Sequence, residues 1–252
     1  ELNWDSVGID NLYNFLQLNN TRAFVVLKDG KIVLENYWGN NFSNTAPFDS
    51  NSNWYWASAG KTLTAFLVGI AKDNGILSLE DSSSTFLGNG WTSLEESQES
   101  LIKIKHHLTM TTGLDYLVDN LNCTDPNCLT YKNTPGTNWF YHNATYSLLK
   151  DVIENTSETT YNDFTNQKVK MKIGMGGSWI QSNYSNIYWS TARDMARFGL
   201  LILNEGVWDN QVILSDTNYF SNMVNTSQQM NESYGYLWWL NGKDSLIPPG
   251  IT

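Results

Sequence analysis

The chain has 252 residues, is 41% hydrophobic and 16% charged, and carries a formal net charge of −10. Its length supports a substantial core, and its composition is that of a folded protein rather than a disordered one. The acidic surplus argues against nucleic acid or an anionic membrane as partners. No apolar run approaches the length of a membrane span, and the start lacks a basic region and a signal core, so Glu1 is expected to be a processed N-terminus.

Residues 4–18 place Val7, Ile9, Leu12, Phe15 and Leu16 near helical spacing. Two β-rich runs, 23–27 and 31–37, flank Asp29-Gly30 and predict a hairpin. An Asn- and Ser-rich loop over 39–53 leads to Trp54-Tyr55-Trp56-Ala57-Ser58-Ala59-Gly60-Lys61-Thr62. From there a helix is expected to run to Lys72 and stop near Asn74-Gly75. Residues 77–90 read as turns and a short helix, and 102–110 as another short helix, in which His106 and His107 are expected to cap or pack rather than catalyse. A long loop over 115–140 follows, and loops of that length inside a domain are usually functional. It holds Cys123 and Cys128, whose spacing and loop context predict a disulfide and an oxidising compartment; two reduced thiols are the alternative. With no further Cys and no nearby His pair, zinc is not expected.

Tyr146, Leu149, Val152 and Ile153 mark the apolar face of the next helix, and another is expected over 160–169. Residues 191–204 form a strongly amphipathic helix, 208–214 contain a turn at Asp209-Asn210, and 215–224 hold a short helix around Tyr219, Phe220 and Met223. The apolar run Tyr234 to Leu240 is expected to be a strand. A lone hairpin is not a stable sheet, so 23–37 should pair with this run and with strands after it. The sequence stops at Thr252 with no closing element, so C-terminal strands are expected to be missing.

The chemistry centres on Ser58 and Lys61. Helix positions i and i+3 share a face, so hydroxyl and amine can meet, and unpaired N–H groups at a helix start suit an oxyanion. Serine needs a proton acceptor to become a nucleophile. Ser-x-x-Lys also occurs at Ser100–Lys103 and Ser147–Lys150, but only Ser58 follows an aromatic cluster and precedes an uncharged run, Thr62 to Ile70. Gly60-Lys61-Thr62 is not a phosphate loop, because Tyr55 stands where the first glycine must be. An unperturbed lysine is protonated at neutral pH, so a phenol beside it would help carry the proton. Tyr141-His142-Asn143 supplies a phenol and an amide to hold the lysine. Tyr131-Lys132-Asn133 and Tyr184-Ser185-Asn186 repeat the pattern, whereas Tyr141 lies between a Pro-Gly turn and an apolar helix. Tyr141 in the core with Asn143 as a helix cap is the bland alternative.

Ser58-Ala59-Gly60-Lys61, the 105–114 segment ending Thr111-Thr112-Gly113-Leu114, Pro135-Gly136-Thr137 with Tyr141-His142-Asn143, and the segments 190–199 and 234–239 together resemble the serine hydrolases of the class C β-lactamase type. The resemblance covers nearly the whole chain in order. It implies an α+β fold, with an antiparallel sheet flanked by helices (1–50 and 205–252) and a mostly helical domain (51–204) carrying the motifs, the site lying between. It implies a small ester, amide or short peptide substrate; no cofactor or metal is expected, and the cysteine pair points to an extracytoplasmic location. Ser58 would be the nucleophile, Lys61 and Tyr141 would share the proton, and Asn143 would orient Lys61 and substrate. Tyr116 and Trp139 are expected to line an acyl pocket. The family's third motif, a Lys- or His-containing strand ending in Gly, has no match, since Lys172-Ile173-Gly174 sits in the wrong order; it is expected beyond Thr252. Esterase chemistry is the first expectation, and a non-catalytic or slowly acylated peptide or peptidoglycan binder is the alternative.

Overall fold

The computed structural model describes residues 4–243; the expectations for Glu1 and for 248–252 lie outside them. Helix α1 (Ser6–Leu18) starts at Asp5, whose carboxylate accepts from the Val7 N–H at 3.0 Å. Strands β1 (Ala23–Lys28) and β2 (Lys31–Tyr37) pair antiparallel through Asp29 and Gly30, both at positive φ, the turn that matches strand twist. Among the described residues this ribbon has no third strand; Tyr13 of α1 packs edge-on against Phe24 and Trp38 instead.

β3 (Trp54–Tyr55) leads through a 3₁₀ turn (Ala57–Ala59) into α2 (Gly60–Asp73). Helix α2 is buried on nearly every side, with Leu63, Phe66, Leu67 and Val68 fully enclosed, and is the centre of the main core. The short helices α3 (Ser84–Leu87), α4 (Glu96–Glu99) and α5 (Ile104–Leu108) follow, then α6 (Asn143–Ser157), which packs on α2 through Leu149, Val152 and Ile153. Helix α7 (Tyr161–Thr165) continues through a π turn into α8 (Met171–Ile173). β4 (Ser178–Ser182) and β5 (Ser185–Ser190) make a second hairpin, and β3 joins it in the order β3-β5-β4. Helix α9 (Ala192–Leu203) opens with a Thr191–Asp194 capping box and lies against β1, with Arg193 bonded to Glu35 at 2.6 and 2.7 Å. A two-residue pair, β6 (Val207–Trp208) with β7 (Gln211–Val212), precedes α10 (Thr217–Met223). Tyr219 of α10 crosses α2 at Gly69, where a Cβ would stand 2.4 Å from the ring, and donates to the Ala65 carbonyl at 2.6 Å.

One sequence expectation is corrected. Tyr234 to Leu240 is not a strand and does not pair with β1–β2. Its backbone folds back, with the Gly235 N–H on the Trp238 carbonyl at 2.9 Å and Leu237 in the left-handed region at φ 59°. It docks through Tyr236 N–H to the Met223 carbonyl and Leu237 N–H to the Leu108 carbonyl. Burying Tyr234 and Leu237 in the core outweighs β-propensity here. Within the range 51–204, helices α2 to α9 outweigh the three short strands β3, β4 and β5, whose sheet supports Ser58.

The 115–140 loop is strapped down locally. A bridge joins Leu114 to Tyr131, and Cys123 is bonded to Cys128 with their Cα atoms 5.9 Å apart. His106 caps α5, accepting from the Lys103 N–H at 3.0 Å. His107 is fully buried between the Ser83 hydroxyl (2.8 Å) and the Thr145 carbonyl (2.7 Å). Both histidines are structural.

Candidate active site

Ser58 is delivered by a strand and a tight turn. β3 pairs with β5, the Trp56 N–H bonds the Tyr188 carbonyl at 2.8 Å, and the Trp56 indole donates to the Ser190 hydroxyl at 2.7 Å. The chain then reverses through Ala57, a non-glycine residue at φ 46°. A side chain in that region is strained by about 1–3 kcal/mol, a cost usually found at working sites. The turn leaves Trp56 buried and Ser58 exposed at the mouth of α2, one turn before Lys61.

Lys61 is 4% exposed, and its Nζ donates to the Ser58 hydroxyl at 3.3 Å. The ammonium lies 4.4 Å from the ring centre of Tyr146 and 4.8 Å from that of Tyr141. Among the described residues no carboxylate pairs with it. Burial therefore pushes its pKa down to about 8. Burial raises the Tyr141 phenol, partly offset by the Ser58 hydroxyl and the Trp239 indole beside it. With its pKa near 8, Lys61 has a neutral fraction of roughly a tenth at pH 7 that grows as pH rises, beside a phenol that stays protonated.

The segment carrying Tyr141 is pinned on both sides. The Phe140 N–H bonds the Met110 carbonyl at 3.0 Å, the His142 ring reaches the Asp115 carbonyl at 3.2 Å, and the Ala144 N–H bonds the Leu121 carbonyl at 2.8 Å. Gly113 anchors the loop at φ 78°, accepting from the Lys132 and Asn133 N–H groups; a Cβ there would stand 2.1 Å from the Asn133 carbonyl oxygen. Tyr141 stacks on Trp239, with ring centres 5.5 Å apart. Asn143 is the first residue of α6 and its side chain makes no cap; its Oδ1 is buried without a hydrogen-bond partner. Such an acceptor suits an ammonium or a ligand N–H.

A cavity of about 190 Å³ is lined by Ala57, Ser58, Lys61, Asn122, Asn143, Tyr146, Ser147, Ser185, Asn186 and Ile187. Ser58, Lys61 and Asn143 thus meet at one opening, with Tyr141 against Lys61. Tyr116 and Trp139 do not line it. Tyr116 stacks on Phe140 at 4.0 Å, beneath Lys132, and Trp139 packs among Tyr234 and Trp239. Sequence reasoning missed Tyr146, Trp239, Asn122 and the β5 residues. Tyr146 had a signal, since it falls one helical turn after Asn143, but it was assigned only to the core.

Helices packed around antiparallel strands, with the motif helix at their centre, make this a β-lactamase/transpeptidase-like fold. The beta-lactamase family model matches residues 21–251, and the chain belongs to that family. Among solved structures, a candidate 6-aminohexanoate-dimer hydrolase from Bacillus anthracis superposes with a TM-score of 0.74 at 19% identity, covering 92% of this chain and 68% of that one. A penicillin binding protein from Bacillus halodurans gives 0.72 at 17% identity, covering 93% and 85%. A beta-lactamase/D-alanine carboxypeptidase from Pseudomonas syringae gives 0.64 at 20%, covering 88% and 70%. At these identities the likeness is one of fold. No curated protein sequence matches this chain.

Proposed function

We propose that this protein is a serine hydrolase that cleaves a small ester or amide through a covalent acyl-enzyme on Ser58, with esters the first expectation because their leaving groups need the least help. The observation that carries the reading is an exposed serine hydroxyl 3.3 Å from a buried lysine amine whose pKa is lowered to about 8. Neutral Lys61 accepts the Ser58 proton as Oγ bonds the substrate carbonyl carbon. The Ser58 backbone N–H, at the positive end of α2, faces the oxygen that becomes negative. The Tyr141 phenol, kept protonated by burial, passes a proton between Lys61 and the leaving alcohol or amine as the tetrahedral intermediate collapses. Water then attacks the acyl group with the proton path reversed, and the acid leaves. Asn143 offers its unpaired oxygen to Lys61 or to a substrate N–H.

The Cys123–Cys128 bond supports an extracytoplasmic location, since such bonds persist in oxidising compartments. No helix among the described residues is long and apolar enough to cross a membrane. The deciding experiment is intact-mass spectrometry after fluorophosphonate treatment of wild type, Ser58→Ala and Tyr141→Phe. A single adduct that vanishes in Ser58→Ala is expected. A folded wild-type protein that takes no label overturns the hydrolase reading and leaves a peptide-binding role.

A further inference from the structure

The sheet that supports Ser58 turns its outer face to solvent, and that face is aromatic. Tyr55 of β3 and Trp189 of β5 are register partners, and further along the same side Ile187 pairs with Ile180 of β4. Phe42, from the loop between β2 and β3, stands edge-on to Trp54, Tyr55 and Trp189, with ring centres 5.6, 6.1 and 4.8 Å away. Phe42 is 61% exposed, Ile180 51% and Tyr55 39%. An exposed apolar patch of this kind marks an interaction surface. The stretches that build it, 39–48, 50–60 and 173–190, contain no charged residue, in a chain with 15 basic and 25 acidic ones. Asp49, between the first two, is engaged by the Asn51 N–H and the Ser52 hydroxyl.

We infer that this face rests on a phospholipid surface with zwitterionic, phosphocholine-type headgroups, with Phe42 entering first. Entry into the boundary between headgroups and acyl chains requires polar backbone to be satisfied internally. The Phe42 loop meets that demand. The Asn41 N–H bonds the Ala46 carbonyl, the Asn44 N–H bonds the Asn41 carbonyl, and the Asn41 side chain accepts from the Thr45 N–H, each at 2.9 Å. The Asn40 and Asn44 side chains bond each other at 2.7 Å, so these amides are engaged within the loop rather than free for the hydroxyls of a glycan. Trp and Tyr are the side chains that settle at a membrane–water interface, being apolar rings with a polar tip. At the edge of the patch the Arg22 guanidinium lies 5.3 Å from the Trp54 ring centre, in space that Gly39 leaves open; a Cβ there would stand 1.9 Å from its Nη1. Arg193 and Arg197 have carboxylate partners, whereas among the described residues Arg22 has none. A lipid phosphate supplies the missing anion, and the exposed ring faces suit the choline ammonium beside it. The net charge of −10 disfavours an anionic leaflet. The protein lies on such a surface through side chains and does not need a spanning segment to do so.

Vesicle co-sedimentation tests it. Wild type is expected to pellet with phosphatidylcholine vesicles, and less with phosphatidylglycerol vesicles at low salt. Phe42→Ser and Ile180→Ser, on separate elements, should each lower the phosphatidylcholine partition coefficient by about tenfold, and Arg22→Gln by about threefold. Both serine variants replace exposed side chains, so their melting temperatures should match wild type, which separates lost binding from lost fold. Sedimentation velocity without lipid addresses the competing occupant, a second copy of the chain; a monomer is expected. A dimer that Phe42→Ser dissolves would assign the face to self-association and overturn the lipid reading. So would wild type left in the supernatant, tighter binding to phosphatidylglycerol, or serine variants that bind phosphatidylcholine as tightly as wild type.

Discussion

At the scale of single residues, Lys61 decides the site's pH behaviour. Its amine must be neutral to take the serine proton, so kcat/KM should rise with pH and level off above about 8, where burial places its pKa. A rate profile from pH 6 to 10 checks this, and a profile already flat at pH 7 would exclude Lys61 as the base. The same burial costs stability. Lysine in the unfolded chain titrates at its ordinary 10.5 and in the fold near 8, so the unfolded state binds more protons between those values. Stability from this group is therefore complete above pH 10.5 and is lost as pH falls through 8. Lys61→Met should abolish activity yet raise stability at pH 7, by up to roughly 3 kcal/mol, with the gain vanishing near pH 11. Urea melts at both pH values measure it. Tyr146 positions Lys61 from the other side, its ring 4.4 Å from the ammonium and its hydroxyl on the Asn186 carbonyl at 3.2 Å. A desolvated cation–π contact is worth about 0.5–2 kcal/mol. Tyr146→Leu should thus slow turnover by about 3- to 30-fold, whereas Tyr146→Phe keeps the ring and most of the rate; equal losses in the two would assign the effect to the hydroxyl.

At the scale of elements, the site is held by pieces of unequal legibility. Helix α2 could be read because an uncharged run follows a lone lysine, and α6 because its apolar residues keep helical period. The β4–β5 hairpin could not. The buried residues of β5 are Asn186, Tyr188 and Ser190, with Ile187 and Trp189 half-buried, so the apolar and buried patterns run out of phase. Its inward polar groups are satisfied locally, Ser190 by the Trp56 indole. Two sequence repeats passed over in favour of Ser58 and Tyr141, Ser147–Lys150 and Tyr184–Asn186, contribute residues to the Ser58 cavity and a hollow bordering it, because proximity there comes from topology rather than spacing. The aromatic run after residue 233 misled in the opposite direction, its period-free apolar character suiting a core plug as well as a strand. The disulfide loop borders the Ser58 cavity through Asn122. A bond closing so short a loop stabilises by about 2 kcal/mol in the chain-entropy model. The double variant Cys123→Ser/Cys128→Ser should therefore lower Tm by roughly 4–8 °C. Calorimetry with and without reductant checks it: reductant should lower the wild-type Tm toward the variant's and leave the variant unmoved.

At the scale of the molecule, what joins the pieces is a small set of buried polar residues, and they make the fold acid-sensitive. His107 ties α5 to Ser83 before α3 and to Thr145 of α6, and is fully enclosed. The Thr145 carbonyl can only accept, so Nδ1 carries the proton and donates, while Nε2 accepts from the Ser83 hydroxyl. That arrangement requires a neutral ring. Burial holds the pKa near 4, against an ordinary 6.5, and His106 is lowered to about 4 as well. With both folded values depressed, the stabilising contribution is complete above pH 6.5 and is lost as pH falls toward 4, since the unfolded chain takes up protons that the fold refuses. For His107 the shift corresponds to on the order of 3 kcal/mol, a large share of the 5–15 kcal/mol by which domains are stable. The urea midpoint should accordingly fall steeply between pH 6.5 and 4.5. His107→Gln, which keeps a donor and an acceptor but cannot titrate, should be less stable at pH 7.5 and should lose part of that slope, with His106 and the buried His142, whose pKa burial also lowers, still contributing. A slope identical to wild type would place the acid sensitivity elsewhere, in the carboxylates bonded to Arg193, Lys72 or Lys132.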